Sequence, residues 1–498
     1  MIRKLLLSQC VVLLTTMMVA CNTPSEPGEK NQSQPSEEQT KDVRSWISTA
    51  DNTMHFDKVG RDFNTAVNTN IDKTLYIKPN TTYQQIDGFG IALNGSACYN
   101  LMLMSQEERT KILKETFSVS DGMGYSYTRI SIGCSDFSLS EYTCCDVKGI
   151  ENFSLTNEEI AYVIPVLKEV IAINPNIKIM GSPWTCPRWM KVADLENKTP
   201  YNDWVGGFLN PDYYQDYAEY FVKWIKAFEE RGIKIESVTV ENEPLNWGNS
   251  ASLYMGWEQQ RDFIKTALGP KFEANNIKTK IICFDHNYNY DNKSDQASYP
   301  AKIYADAEAS KYVDGAAYHN YGGAPSEMSN IHNNFAEKNL YFTEASIGTW
   351  NYYSYDQSFM DIADNVCMQT ILNWARCAIM WNYMLDNGSI EGPYRPKGCT
   401  TCYGALQLDA NSHFIRLKRA PYYALGQMSR VLLTGSTRIG VSGYTPTNTV
   451  IVASSNPDGT YGLVILNKND QSIKLTVDDG THTFDLTLPA KSMTSCLW

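Results

Sequence analysis

The sequence predicts an α/β fold, a (β/α)8 TIM barrel followed by a β-sandwich, and three observations predict it. Eight short β-rich runs lie between residues 85 and 384, eight being the number that closes such a barrel. Helical patterns with recognisable caps separate them. Beyond residue 430 the pattern changes to short alternating strands split by turn signals, as in TVIVASSNPDGTYGLVILNKNDQSIKLTVDDG, which reads as a sandwich.

The chain begins with Arg3 and Lys4 ahead of an apolar run that ends at Met18-Val19-Ala20. Residues 1–20 therefore read as a signal peptide, too short to span a bilayer permanently. Small or apolar residues directly before Cys21 resemble the lipobox of bacterial lipoproteins, which implies lipid attachment at Cys21. An outer-membrane lipoprotein at the cell surface is expected, with a periplasm-facing anchor or an ordinary signal peptide as alternatives. Residues 22–41, NTPSEPGEKNQSQPSEEQTK, have a solvated composition, and 21–50 is read as a flexible tether. Residues 51–84, with TLYIKP, are expected to add strands to the sandwich; 85–429 form the barrel and 430–498 the sandwich proper.

The barrel runs are QIDGFGIAL (85–93), SYTRISIG (126–133), IKIMGSPW (177–184), ESVTVENEP (236–244), KTKIICFDHN (278–287), DGAAYHNYG (314–322), LYFTEAS (340–346) and CAIMWNYM (377–384). Between them, TNEEIAYVIPVLKEVIAI opens on Thr156 with Glu159 three residues on, a capping box. PDYYQDYAEYFVKWIKAFEERG has Pro211 at its start and Gly232 at its end.

The chain has 498 residues, 43% of them hydrophobic, enough to bury a large core. Its formal net charge of -12 argues against a nucleic-acid partner, whose phosphates call for a basic surface. Eleven Trp, 31 Tyr and 17 Phe suit sugar, whose apolar faces lie against rings. Cys10 and Cys21 aside, an odd number of the thirteen cysteines remains, so no complete disulfide framework is implied. Cys399 and Cys402 form a lone CxxC, and Cys144 and Cys145 are adjacent. Neither has zinc-site company, so packing or an occasional disulfide is expected and metal is not. No cofactor is expected, and a monomer is.

Active sites of such barrels lie at the C-terminal strand ends. Here those ends carry Arg129 and Asp136, Trp184, Asn242 and Glu243, Asp285-His286-Asn287, His319 and Tyr321, Glu344, and Trp381-Asn382. Cleaving a glycosidic bond needs a carboxylic acid to protonate the leaving oxygen and a carboxylate to attack or stabilise the anomeric carbon. Glu243 and Glu344, at the ends of the fourth and seventh runs, are the natural pair, and their placement suits the roughly 5 to 5.5 Å spacing of a retaining enzyme. VTVENEPLNW also carries Glu241, which is expected to pair inside the barrel with an Arg such as Arg129. For Asn242 and Glu243 both to meet sugar, the strand end must depart from regular pleating. Glu243 is expected to be the more desolvated carboxyl, with the more raised pKa.

The chain resembles glycoside hydrolase family 30, a family of (β/α)8 retaining β-glycosidases, and most of all its bacterial endo-β-1,6-glucanases. The likeness is carried by IDGFGIALNGS, RISIGCSDFSLSEYT, GSPWTCPRWMK, VTVENEP, AAYHNYGG, YFTEAS, YYALGQMSRVLLTGSTRIG and LVILNKNDQSIKLTV in that order. It implies Glu243 as acid/base and Glu344 as nucleophile, with Asp136, Trp184, Asn242 and Trp381 holding the nonreducing sugar. His319 and Tyr321 are expected to join them at the substrate, and Arg129 to support the carboxylates; for Arg129 and His319, hydrogen bonding behind the pocket stands as an equal alternative. The resemblance to the glucose-selective branch, through SDFS and SPW, points to internal cleavage of β-1,6-glucan of the fungal-wall type. A glucosylceramidase or exo-β-glucosidase is the alternative, and a noncatalytic glycan-binding lipoprotein is disfavoured because both carboxylates are present. Segments 136–152, 245–256, 286–300 and 347–358 are the expected walls of the outer subsites.

Overall fold

A computed structural model describes residues 41–288, 293–351, 354–386, 399 and 401–498. Residues 1–20, read above as a signal peptide, and Cys21 lie outside the described residues. Among those described, no helix is long and apolar enough to cross a membrane.

Eight parallel strands form the barrel: β1 Gly88–Ile91, β2 Tyr127–Ser131, β3 Lys178–Ser182, β4 Ser237–Thr239, β5 Lys280–Asn287, β6 Val313–His319, β7 Asn339–Glu344 and β8 Ala375–Met380. They pair in the order β1-β8-β7-β6-β5-β4-β3-β2. Closure between β1 and β2 rests on the amide N–H groups of Ser126, donating to Phe89 O at 3.0 Å, and Leu93, donating to Arg129 O at 3.0 Å. Gly90 makes that approach feasible, since a Cβ there would lie 1.8 Å from Tyr127 O. Inside the barrel, Tyr127, Met180, Ile282, Ala317, Tyr341, Cys377 and Ile379 fill the axis, so the centre is packed and chemistry is confined to the rim.

The expected helices form as their caps dictate. Glu159 Oε2 accepts from the Thr156 amide at 2.8 Å and hydroxyl at 2.6 Å, opening a helix that runs as a π turn, Glu159–Val163, into Ile164–Ile173. Pro211 starts a 3₁₀ turn that leads into Tyr214–Glu229, whose buried face includes Tyr217, Phe221, Trp224 and Phe228.

The second domain is a nine-stranded sheet with its own core of Leu75, Ile77, Leu463, Ile465, Phe484 and Leu486 among others. The strands His55–Arg61 and Thr74–Gln85 join it from before the barrel. One boundary needs correction. The segment read as tether through residue 50 contains the strand Val43–Thr49, which pairs antiparallel with Ser492–Leu497. Its sequence VRSWIST buries Val43 and Trp46, and that apolar content is what separates it from the polar residues before it.

Candidate active site

The C-terminal strand ends converge on a cavity of about 330 Å³ lined by Asp136, Glu243, Asn246, Asn249, His286, Asn287, Tyr321, Glu344, Ser346, Trp350, Trp381 and Cys402. Of the residues singled out in the sequence, seven line it directly: Asp136, Glu243, His286, Asn287, Tyr321, Glu344 and Trp381. Trp184, Asn242, His319 and Arg129 stand immediately behind, each buried.

Local backbone geometry aims the two central glutamates. Regular pairing of β4 ends at Thr239, opposite Ile282. The chain then turns, with Asn242 N–H donating to Pro183 O at 2.7 Å and Glu243 N–H to Asp285 O at 2.9 Å. Glu243 has φ +48°, a left-handed conformation that a side chain of its size rarely adopts and that surrounding contacts must sustain. This is the irregularity that two adjacent inward-acting residues require. β5 shows a second one: Asp285 is the extra residue of a bulge between Phe284 and His286, and Phe284 and Asp285 have φ +71° and +63°.

Arg129 is the hub beneath the site. Its Nε donates to Ser182 Oγ at 2.9 Å, its NH1 to Glu344 Oε2 at 2.6 Å, and its NH2 to both Asn242 Oδ1 and Asp285 Oδ2 at 2.7 Å. With every nitrogen occupied and the side chain fully buried, it orients carboxylates and does not reach sugar. His319 is likewise fully buried: Nε2 lies 3.0 Å from Asp285 Oδ1, and Nδ1 lies 3.3 Å from Glu243 Oε1 and 4.0 Å from Glu344 Oε1. The expected substrate contact of His319 is therefore corrected to a place behind and between the two carboxylates. Tyr321 faces both ways, its hydroxyl donating to Glu344 Oε1 at 2.9 Å while its ring remains exposed to the cavity.

One oxygen each of Glu243 and Glu344 and one nitrogen of His319 all lie within 4.8 Å of one another. That proximity suits a retaining pair, at roughly 5 to 5.5 Å, and is short for an inverting one, at roughly 6.5 to 9.5 Å.

The electrostatics reverse one expectation. Burial pushes Glu243 up, but the hydrogen bond to His319, the charges of His286 and His319, and Asn246 outweigh it and hold the carboxyl at about 2. Asn246 and Asn249 both donate to its Oε2, at 2.7 and 2.8 Å. Glu344 is the raised one, through burial and the nearby charge of Glu243, against the pull of His319 and Arg129. Burial lowers His319, yet the charges of Glu344 and Asp285 more than compensate and lift it to about 9. Burial pushes Asp285 up, but Arg129 and His319 hold it well below the carboxylate range. The proton of the Glu243 and His319 pair thus rests on the imidazole, because Glu243 is surrounded by donors that favour its charged form.

The floor carries polar atoms without partners. Asp136 Oδ1 and the indole nitrogens of Trp184 and Trp381 are covered yet make no hydrogen bond. The two indoles stack with centroids 5.1 Å apart, and the Arg129 guanidinium lies 4.9 and 5.5 Å from their centroids. Burial raises Asp136 well above the carboxylate range, with the charges of Glu344 and Glu243 adding to it. Buried polar atoms are almost always paired, so one acceptor and two donors left over together mark a surface that a hydroxyl-rich ligand completes.

The sequence reading of Glu241 fails. Neither of its oxygens is hydrogen-bonded, and burial raises its pKa well above the carboxylate range despite the charge of Lys191. Arg129 is already spent on four partners from other strands. Sequence reasoning left Asn246, Asn249, Ser346, Trp350 and the Cys399 to Cys402 disulfide without roles; the disulfide puts Cys402 in the cavity wall. The signal for Asn246, Asn249 and Trp350 was that 245–256 and 347–358 stood out as walls rich in Tyr, Trp and Asn, and the CxxC was read as packing or an occasional disulfide.

The glycosyl hydrolase family 30 TIM-barrel domain matches residues 86–432, and the β-sandwich domain of the same family matches residues 435–496. The endo-1,6-β-D-glucanase BGN16.3 of Trichoderma harzianum is 30% identical over 435 residues, covering 83% of this chain and 84% of that protein. The lysosomal acid glucosylceramidase of Mus musculus is 27% identical over 451 residues, covering 85% and 83%. Among solved structures, the endo-β1,6-glucanase BT3312 matches with a TM-score of 0.88 and 52% identity, over 92% of this chain and 99% of that one.

Proposed function

This chain belongs to glycosyl hydrolase family 30, and from that premise we propose that it hydrolyses β-1,6-glucan internally, with retention of anomeric configuration. The observation that carries the reaction is the cluster of Glu243, His319 and Glu344, whose facing atoms all lie within 4.8 Å. The linkage is supported by the 52% identity to an endo-β1,6-glucanase over nearly the whole of both chains.

Glu344 is the nucleophile. Tyr321 and Arg129 each donate to one of its oxygens, which fixes the attacking atom. It forms a bond to the anomeric carbon as the bond to the leaving oxygen breaks, and Glu243 delivers the proton that oxygen takes up. Before attack, the negative charge of Glu344 helps keep the proton on His319. Attack neutralises that charge, so the proton is released across the 3.3 Å contact to Glu243 and onward to the leaving group. Water then hydrolyses the glycosyl-enzyme, and the same pair takes the proton back.

The reacting glucosyl unit lies over the floor. Asp136 accepts from its hydroxyls, Trp184 and Trp381 donate indole N–H groups to it, and these contacts satisfy the atoms left unpaired. Asn242 spends its Oδ1 on Arg129, which turns its amide nitrogen to the 2-hydroxyl, where hydrogen bonds strengthen in the transition state.

Incubation with linear β-1,6-glucan, β-1,3-glucan, xylan and glucosylceramide, with products resolved by length and anomer, tests the reading. A ladder of β-1,6-linked oligosaccharides released first as β-anomers is expected. Glucose alone, or ceramide from glucosylceramide with the glucan untouched, replaces it with the exo-glucosidase or glucosylceramidase alternative. Anchoring belongs to the same proposal: the residues before Cys21 support an outer-membrane lipoprotein, and Cys21→Ser is expected to move the enzyme out of the membrane fraction.

A further inference from the structure

Beside Glu344 an exposed indole lines the cavity and has no part in the chemistry above. Trp350 is 43% exposed, whereas Trp184 and Trp381 beneath the reacting sugar are 1% and 3% exposed. We infer that Trp350 is the platform on which the leaving glucosyl unit stacks, the subsite on the far side of the scissile bond. The inference rests on the β-glucanase reading and names a residue that sets its efficiency on chains.

Three observations carry it. First, position: along the cavity wall Trp381 is 3% exposed, Glu243 and Glu344 are 6% exposed and Trp350 is 43% exposed, so Trp350 stands at the open rim. With the reacting sugar on the floor, the leaving sugar must lie outward, past the carboxylates.

Second, the indole is held in place. Gly348 lies under the ring, since a Cβ at that position would come within 2.0 Å of the indole; only glycine lets the ring lie flat on this backbone. Asn351 clamps the turn, its Oδ1 accepting from Gly348 N–H at 2.9 Å and its Nδ2 donating to Ser346 O at 3.1 Å. The strand Ile347–Gly348 pairs with Cys402–Tyr403, which the disulfide to Cys399 ties down. A preorganised aromatic face loses little entropy when a sugar settles on it.

Third, among the described residues the ring has no other stacking partner. The other strongly exposed tryptophan near the mouth, Trp247, already stacks on Tyr254 at 4.6 Å and lies 5.5 Å from Lys293 Nζ. Among the described residues, no other aromatic ring and no cation stacks on Trp350. A 1,6-linkage adds a rotatable C5–C6 bond between the two sugars, so the leaving unit gains more from an external surface that fixes its orientation.

The test compares two substrates in Trp350→Ala and Trp350→Phe: β-1,6-gluco-oligosaccharides, which place a sugar on the platform, and β-glucosyl fluoride, which does not. Binding energy from the nonreacting sugar is used in the transition state, so Trp350→Ala is expected to lower kcat/KM on the oligosaccharides by about ten-fold more than on the fluoride. Trp350→Phe, which keeps an aromatic face, recovers most of that difference. An equal loss on both substrates, within about two-fold, would make Trp350 a structural residue and overturn the inference; so would an undiminished kcat/KM on the oligosaccharides. Failure of the β-1,6 reading looks different: the unaltered enzyme then leaves β-1,6-glucan intact, and the same ratio is taken on the β-glucan it does cleave.

Discussion

The two ends of the barrel each set an arginine against acidic side chains, and only one end is built for chemistry. At the N-terminal end, Asp87 accepts from Arg376 Nε and NH2 at 2.9 Å and from Lys178 Nζ at 2.6 Å, and Arg376 also reaches Asn339 and Gln85. One carboxylate meets two cations; burial pushes Asp87 up and they bring it below its usual value. At the C-terminal end, Arg129 and His319 serve three carboxylates, those of Asp285, Glu344 and Glu243. The backbone there is left-handed at Glu243, Phe284 and Asp285, and the adjoining floor leaves Asp136, Trp184 and Trp381 with unpaired atoms. Cavity size points the wrong way: a groove of about 660 Å³ at the N-terminal end, lined by Lys280, Asp314, Lys338 and Asn339 among others, is twice the active cavity. Polar groups there are engaged by neighbours: Lys338 Nζ donates to Ser310 O and Val313 O, and Asp314 accepts from Asn339 and Tyr341. Unspent polar atoms and left-handed residues converging on one cavity distinguish the functional site; each also occurs elsewhere, as at Trp224 and Trp374, and volume and charge alone do not mark it.

The sharpest way to break this contrast is to remove the two central carboxyls. Glu344→Ala is expected to lose activity by on the order of 10⁴-fold or more, and azide to rescue it on an activated β-glucoside as the α-glucosyl azide. Glu243→Ala should lose about 10² to 10⁴-fold, with azide giving the β-glucosyl azide through the intact glycosyl-enzyme. Exchanged products would exchange the roles.

A smaller effect is expected at the other end. Arg376→Ala leaves Asp87 short of its main partner in a pair whose side chains are 16% and 2% exposed, which costs about 3 to 5 kcal/mol of stability. Urea unfolding checks the loss, and kcat/KM of the folded fraction should stay within about two-fold of the unaltered enzyme. A catalytic defect exceeding the stability defect would mean the two ends are coupled.

The smallest effect lies in pH dependence. kcat/KM is expected to rise as Glu344 ionises, above the ordinary glutamate value of 4.5, and to fall as the proton leaves the pair of His319 and Glu243, at about 9. The linked stability has the same sign at high pH. His319 binds its proton more tightly folded than unfolded, so its contribution is fully present below about 6.5 and is lost as pH rises through about 9. His319→Asn should move the basic limb of kcat/KM; an unmoved limb would place the proton elsewhere.

Much of the architecture was legible because it rests on local pattern. Each of the eight barrel strands overlaps one of the β-rich runs, three of them starting one or two residues earlier, and Thr156 with Glu159 forms its cap as written. The pairing of Glu243 and Glu344 was legible too, since strand ends of a barrel face one cavity. What escaped depends on closure. Arg129 chooses its partners from β3, β5, β7 and the turn after β4, a choice no linear spacing encodes, so Glu241 was given a partner it lacks. The lowered pKa of Glu243 escaped for a similar reason: Asn246 and Asn249 donate from a loop with no periodicity, and His319 arrives from another strand. Trp350 depends on a glycine two residues earlier in a turn closed by a remote strand.

The central claim is that Glu344 carries the glycosyl group. Incubation with 2-deoxy-2-fluoro-β-glucosyl fluoride, which slows hydrolysis of the intermediate more than its formation, followed by peptide mass spectrometry, tests it directly. The account predicts a single covalent label on Glu344, in the peptide containing LYFTEAS. A label on Glu243, or turnover of the glucan with inversion and no label at all, would contradict it.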